Sequence, residues 1–112
     1  MLSEHLHEDR IEEALAYMVE TDALYAKLKA EVERTKHRAK RVEALEVMCA
    51  EGSAQVRKAV SEAAPASVEA WNQHFDAIEA FEKLRAERDS LEMRLEVWKC
   101  WQSGRKQGAR IS

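Results

Sequence analysis

The chain has 112 residues, 46% of them hydrophobic and 35% charged, and a net charge of -3. This balance is typical of a folded domain and argues against an intrinsically disordered chain. Only three glycines and one proline interrupt a sequence dominated by Ala, Glu, Leu, Lys and Arg. We therefore predict an all-α protein made of long helices.

Four helices are predicted in chain order. The first covers residues 4–19, and Thr21 and Asp22 then offer side-chain acceptors that are typical of a helix start. We predict a break there, with one continuous helix as the alternative. The second helix runs from Asp22 to Gly52, because glycine tolerates the left-handed backbone that often follows a helix. Its predicted apolar face consists of Leu24, Leu28, Val32, Ala39, Val42, Leu45 and Cys49.

The other two predicted helices follow this glycine. Ser53 is the expected N-cap of a short helix. Pro65 and Ser67 are predicted to close this helix and to open the longest one, which is predicted to end at Ser103–Gly104. Arg88 interrupts the apolar series of the long helix, and the register shifts once after Phe81, so the pattern is not a strict heptad repeat. The apolar series consists of Val68, Trp71, Phe75, Ile78, Phe81, Leu84, Leu91, Leu95 and Trp98.

Two long helices joined through a short helical connection predict an antiparallel helical hairpin. Residues 1–103 are expected to form this single helical domain, and residues 104–112 a flexible basic tail. The tryptophans and the Leu and Val positions carry more apolar surface than one hairpin buries. We therefore predict a homodimer that completes a helical bundle or coiled coil.

The expected location is the cytoplasm, without membrane contact. No segment has the run of apolar residues that a bilayer span requires, and the segment MLSEHLHEDR is too polar for a secretory signal. Cys49 and Cys100 have neither the spacing of a disulfide framework nor that of a metal site. Both are predicted to be buried or half-buried thiols.

Charge is segregated along the chain into two basic islands within an acidic body. The stretch ERTKHRAKR, residues 33–41, carries a net charge of +5 between positions 34 and 41, whereas residues 42–98 carry a net charge of -6. On a helix these cations spread over a broad arc, which we call the basic collar. The basic collar consists of Arg34, Lys36, Arg38, Lys40 and Arg41.

Two interpretations of the basic collar stay open. Its cations can pair with acidic side chains of the returning helix, in the same chain or in a dimer partner, and so select the register. Alternatively, they contact the phosphates of a nucleic acid or an acidic protein surface. The candidate acids for the first interpretation are Asp76, Glu79, Glu82, Glu87 and Asp89.

The second island combines cations with aromatic rings near the carboxyl end, in the sequence VWKCWQSGRK. Aromatic rings can stack on unpaired bases while cations follow the backbone, which is the chemistry of single-stranded DNA binding. Trp98 continues the apolar series and is predicted to be structural. The candidate contact residues of this island are Lys99, Trp101, Arg105, Lys106 and Arg110.

Catalytic signatures are missing from the sequence. It has no nucleophile motif, glycine-rich phosphate loop or convincing acid pair, so we predict a protein that is not an enzyme and takes no cofactor or small-molecule substrate. His5 and His7 lie beside acidic residues, but a third firm metal ligand is missing there, so no metal site is predicted.

Four stretches lie within about residues 8–108: YAKLKAEVERTKHRAKR, AEGSAQVRKA, FEKLRAERDSLEMRLEVWK and QSGRKQG. Together they resemble a family of small helical proteins encoded by tailed phages and prophages. Genes of this family lie near phage genes for recombination and replication. The resemblance implies a role in phage DNA metabolism or in countering host defence, without enzymatic activity, and it supplies no functional residues. Cys100, Trp101 and the tail GARIS are not matched to the family pattern.

Three functional hypotheses follow. The first is a non-enzymatic accessory protein that binds DNA, single-stranded DNA included, or a DNA-processing protein in recombination or replication. The second is an inhibitor that blocks a host nuclease or a nucleic-acid-guided defence complex of the CRISPR type by protein contact. The third is a structural helical scaffold.

Overall fold

The computed structural model describes the backbone of residues 3–111 and the side chains of residues 8–104. Three helices make up this range: α1 over Ser3–Cys49, α2 over Ala54–Ala63 and α3 over Pro65–Ile111. No strand occurs in the described backbone, and the predicted all-α class with long helices is confirmed. None of these helices contains a stretch long and apolar enough to cross a bilayer.

The predicted break at Thr21 and Asp22 is wrong, because α1 continues through both residues. The Thr21 hydroxyl donates a hydrogen bond to the Tyr17 carbonyl one turn earlier (2.7 Å) instead of capping a new helix. The Arg88 guanidinium donates to the same hydroxyl at 2.6 Å and to the Asp22 carboxylate at 2.5 Å. Both polar side chains therefore find partners without any interruption of the helix.

The connection between α1 and α2 depends on local signals that the sequence displays. Gly52 has a φ of 109°, in the left-handed region that favours glycine. The Ser53 hydroxyl accepts a hydrogen bond from the Val56 amide at 3.3 Å and caps α2. Pro65 is the first residue of α3, where its missing amide hydrogen leaves no helical bond unmade. The predicted turn at Gly52, cap at Ser53 and helix start at Pro65 are confirmed, whereas Ser67, predicted at the same boundary, is buried inside α3.

The predicted end of the last helix is wrong, because α3 passes through Ser103 and Gly104 and ends at Ile111. Gly104 has open space where a Cβ would stand. One glycine inside a helix costs only about 1 kcal/mol, which is too little to end a long helix by itself. The division into a domain and a flexible tail at this position stays a prediction.

Each long helix carries one stripe of buried and half-buried side chains at strictly alternating spacings of three and four residues. The two stripes face each other: the rings of Tyr25 and Phe81 lie 5.2 Å apart, and the Thr35 hydroxyl lies 3.0 Å from His74 Nδ1. The stripe of α3 thus has a spacing that the predicted apolar series lacks, although Ser67, His74, Arg88 and Gln102 make four of its positions polar. The α1 stripe consists of Ile11, Ala14, Met18, Thr21, Tyr25, Leu28, Val32, Thr35, Ala39, Val42 and Glu46. The α3 stripe consists of Ser67, Ala70, His74, Ala77, Phe81, Leu84, Arg88, Leu91, Leu95, Trp98 and Gln102.

Small and polar side chains in the first half of the α3 stripe explain the difference. The predicted apolar series contains the large residues Trp71, Phe75 and Ile78. Each of them lies one position beyond a buried residue. Phe75 is 58% exposed, whereas its neighbour His74 is buried. The apparent register shift after Phe81 arises because the pattern began on this neighbouring row.

The chain forms two compact units. We call residues 25–83 the bend unit and residues 1–24 with 84–112 the terminal unit. Within the bend unit, α1 and α3 run antiparallel, because contacts of later α1 residues involve earlier α3 residues, from Tyr25 with Phe81 to Glu43 with Trp71. Within the terminal unit, the Tyr17 hydroxyl donates to the Glu87 carboxylate at 2.6 Å and joins the two helices.

Candidate functional site: an exposed basic surface

The basic collar lies on α1 in the bend unit, and all of its cationic side chains are exposed. Ala39 in the middle of the same segment is fully buried. Val42, just beyond the basic collar, is half-buried and belongs to the same stripe as Ala39. The segment therefore packs through its apolar positions, and its cations spread over the solvent-facing side of the helix.

One ion pair involves the basic collar among the described side chains. The Arg34 guanidinium lies 3.3 Å from the carboxylate of Glu31, one turn earlier on the same helix. Both groups are exposed, so the pair contributes a few tenths of a kcal/mol. Within this part of the chain, no pair joins the basic collar to the returning helix, so the intrachain form of the pairing interpretation is not observed.

The register of the bend unit places the basic collar opposite the first part of α3. Thr35 faces His74, and the Trp71 indole donates to the Glu43 carboxylate at 3.3 Å. Because the helices are antiparallel, the basic collar runs beside about residues 68–75, where Glu69 is the single acid, and no ion pair joins the described side chains of Glu69 and the basic collar. The sequence showed which residues are acidic, but the register that decides which of them face the basic collar depends on packing.

Two of the candidate acids are engaged elsewhere. Glu87 accepts the hydrogen bond from Tyr17, and Asp89 lies 3.8 Å from Arg85 on its own helix. Both acids belong to the terminal unit, whereas the basic collar belongs to the bend unit. Pairing between the basic collar and the acids of a second copy stays a prediction.

A shallow depression of about 430 Å³ lies along the basic collar. All of its lining residues belong to α1 between Glu31 and Arg41, so a single helix forms it. A surface of this kind cannot enclose a small molecule, since ligand pockets surround most of their ligand. Its lining combines Arg34, Arg38 and Arg41 with the carboxylates of Glu31 and Glu33, so it is not a purely cationic surface.

The second island lies on α3 in the terminal unit and is described only in part. Lys99 is exposed and lies 3.6 Å from Glu96 on the same helix. Trp101 is 47% exposed. The side chains of Arg105, Lys106 and Arg110 lie outside the described residues.

Trp98 belongs to the buried stripe, as its predicted structural role requires. Its indole nitrogen is buried and has no hydrogen-bond acceptor in the described part of the chain.

The cysteine prediction is wrong, since Cys49 and Cys100 are both exposed. Cys49 is the last residue of α1, and Cys100 lies two residues beyond the stripe position Trp98. No cluster of three metal-binding side chains occurs among the described residues. The side chains of His5 and His7 lie outside this range.

Sequence reasoning missed an open apolar groove in the terminal unit. Its volume is about 1510 Å³, and it lies between α1 near Ile11–Tyr17 and α3 near Ala86–Trp101. The signal that could have revealed it is a second row on α3 with spacings of four, three and four residues. The row consists of Ala86, Ser90, Met93 and Val97.

Comparisons with models of protein families, with curated proteins and with solved structures find no match to this chain.

Proposed function

We propose that this chain is a non-enzymatic accessory protein that binds DNA through the basic collar, in keeping with the phage DNA metabolism that its sequence resemblance implies. The supporting observation is a cationic arc with few acidic partners: Arg34 is paired with Glu31, whereas Lys36, Arg38, Lys40 and Arg41 form no ion pair with any described side chain. Like charges one helical turn apart repel by a few tenths of a kcal/mol. A polyanion relieves this repulsion and releases its own counterions on binding.

The chemistry of the basic collar favours phosphates over bases. Its cations cover a broad arc of one helix, and residues 33–41 contain no Phe, Tyr or Trp. Contacts of Lys and Arg with phosphates position a protein on DNA without reading its sequence. The expected binding is therefore electrostatic and largely independent of base sequence.

We further propose that the functional form is a homodimer that completes a helical bundle. The accessible surface of one chain is 8811 Å². A compact monomer of 12.9 kDa has about 6,300 Å². A dimer would hide part of this surplus and would place two basic collars on one particle, which raises avidity for a long polyanion.

The test is fluorescence anisotropy with single- and double-stranded oligonucleotides over a salt series. We expect Arg38→Gln/Arg41→Gln to weaken binding by about tenfold or more and to reduce the slope of log K against log salt by about 2. The matched control is Lys27→Gln/Lys29→Gln, which removes two exposed cations from the same helix outside the basic collar. We expect the control to change affinity by less than about threefold.

The same experiment can contradict the proposal. The proposal fails if the wild-type chain does not bind at low salt, or if both double variants lose affinity equally. The inhibitor hypothesis has no supporting observation of its own in the structure. The scaffold hypothesis predicts instead that the basic-collar variant changes the oligomeric state while DNA binding is undetectable in every variant.

A further inference from the structure

We propose that the apolar groove of the terminal unit is the surface through which a second copy of this chain binds. The inference rests on the homodimer proposed above and assigns its interface. The groove has a volume of about 1510 Å³ and is open. Small-molecule pockets have about 300–1,000 Å³ and surround their ligand, so the groove suits the side chains of another helix better.

The wall of the groove on α3 is apolar and exposed. Met93 is 70% exposed, Val97 is 65% exposed, and Trp101 completes the wall at its carboxyl end. Exposed apolar side chains are common singly, but a contiguous set along one groove marks an interaction surface.

The spacing of this wall indicates a helical neighbour. In the terminal unit, the buried stripe of α3 faces α1. The row from Ala86 to Val97 lies on another side of α3. The spacings of four, three and four residues keep that row on one side of the helix. A helix with two apolar rows packs against two neighbours, and α1 is only one of them.

The charges at the rim favour a second copy over a differently charged partner. Arg10 and Glu13 line the groove from α1, and Glu87 and Arg94 line it from α3. In a twofold dimer the same patch of both copies meets, so the patch must be complementary to itself. Two cations and two carboxylates allow opposite charges of the two copies to meet, whereas they give a polyanion no net attraction.

The surface area fits one interface of this kind. The accessible surface of 8811 Å² exceeds that of a compact monomer by about 2,500 Å². Permanent homodimers bury about 2,000–5,000 Å² in total, or up to about 2,500 Å² from each copy. The surplus is similar in size to the surface that one copy buries in such an interface.

The first test compares two exposed valines of the terminal unit by sedimentation velocity in the presence of a reductant. Val97→Glu places a charge in the groove, whereas Val19→Glu places the same charge on α1 outside it, at a residue that is 73% exposed. We expect a wild-type dimer, dissociation of the Val97→Glu variant with a Kd raised by about 100-fold or more, and a Val19→Glu variant that stays dimeric. A monomeric wild type, or equal effects of the two substitutions, overturns the proposal.

A second test does not depend on how a buried charge affects folding. Val97→Cys and Val19→Cys are each introduced into a Cys49→Ser/Cys100→Ser background and treated with a short bismaleimide cross-linker. We expect cross-linked dimers from the cysteine at 97 and few from the cysteine at 19. Capture at 19 alone, or equal capture at both positions, contradicts the assigned interface. DNA binding by the basic collar is measured separately, so failure of that function leaves the cross-linking result intact.

Discussion

The Arg88 guanidinium lies in the buried stripe of α3 and donates to three groups of α1. They are the Met18 carbonyl (2.9 Å), the Thr21 hydroxyl (2.6 Å) and the Asp22 carboxylate (2.5 Å). A buried cation is costly unless it is paired and hydrogen-bonded, and this set of acceptors meets both needs. Arg88, which interrupts the predicted apolar series, is therefore part of the packing between α1 and α3.

We expect Arg88→Ala to lower the free energy of unfolding by about 2–3 kcal/mol, since it removes several hydrogen bonds and leaves the Thr21 hydroxyl and the Asp22 carboxylate without their cation. Arg34→Ala is the control, because it removes an exposed arginine whose ion pair lies on its own helix. We expect the control to change stability by less than about 0.5 kcal/mol. Urea denaturation followed by circular dichroism measures both, and equal losses would contradict the role assigned to Arg88.

The pKa of the Tyr17 phenol is raised above its ordinary value of 10.0, chiefly because its hydroxyl donates to the Glu87 carboxylate. The folded state thus favours the neutral phenol. The stabilisation is fully present below pH 10 and is lost as the pH rises through the raised pKa. Alkaline conditions should weaken the contact between α1 and α3 in the terminal unit.

A spectrophotometric titration can isolate this group, since the chain has only two tyrosines. In a Tyr25→Phe variant the single remaining tyrosine should titrate above pH 10. Adding Glu87→Gln removes the carboxylate, and the pKa of Tyr17 should then fall toward its ordinary value. An unchanged titration after the second substitution would show that Glu87 does not hold the phenol in its neutral form.

At the scale of the elements, Gly52 and Gly104 have opposite roles. Gly52 has a φ of 109°, and a Cβ there would lie 3.2 Å from Val56 Cγ1. We expect Gly52→Ala to destabilise the fold by about 1 kcal/mol or more. Gly104 lies inside α3 with open space around it, so Gly104→Ala should stabilise the helix by about 0.5–1 kcal/mol. Thermal denaturation of the two variants should give shifts of opposite sign, and shifts of the same sign would contradict this assignment.

Sequence patterns predicted those elements whose signals are local. Gly52, Ser53 and Pro65 mark the turn, the cap and the helix start through their own backbone and side-chain chemistry. Thr21 misled the prediction, because a threonine before an acidic residue can cap a helix or bond to the preceding turn. Only the Arg88 side chain, distant in sequence, decides between these two uses. The core of the bend unit was misassigned for a similar reason, since small polar residues show no apolar pattern.

At the scale of the whole molecule, the exposed fraction of the apolar residues is the main evidence for self-association. If the chain is a dimer, unfolding is coupled to dissociation, so the melting temperature rises with protein concentration. We expect an increase of several degrees over a hundredfold range of concentration for the wild type, and a much weaker dependence for Val97→Glu. Scanning calorimetry measures this, and a melting temperature independent of concentration would argue against the dimer.

The basic collar was predictable from the sequence because consecutive charges need no tertiary information. The lack of ion pairs between the basic collar and α3 was not predictable, because it depends on which residues of α3 lie beside the basic collar. The groove was even harder to predict from the sequence. Its wall includes Ala86 and Ser90, which carry no strong hydropathy signal, so only the arrangement of both helices reveals it.

The polar members of the two stripes have a consequence for folding fidelity. Alternating spacings of three and four residues look the same after a slip of seven, so apolar contacts alone would permit helices that are shifted by one heptad. After such a slip Arg88 would lie beside Ala14 instead of Thr21, and His74 would lose Thr35. Each misplaced buried donor or acceptor costs about 1–3 kcal/mol. Hydrogen bonding therefore disfavours near-native states with shifted helices. Hydrophobic burial alone would not distinguish these states from the native one.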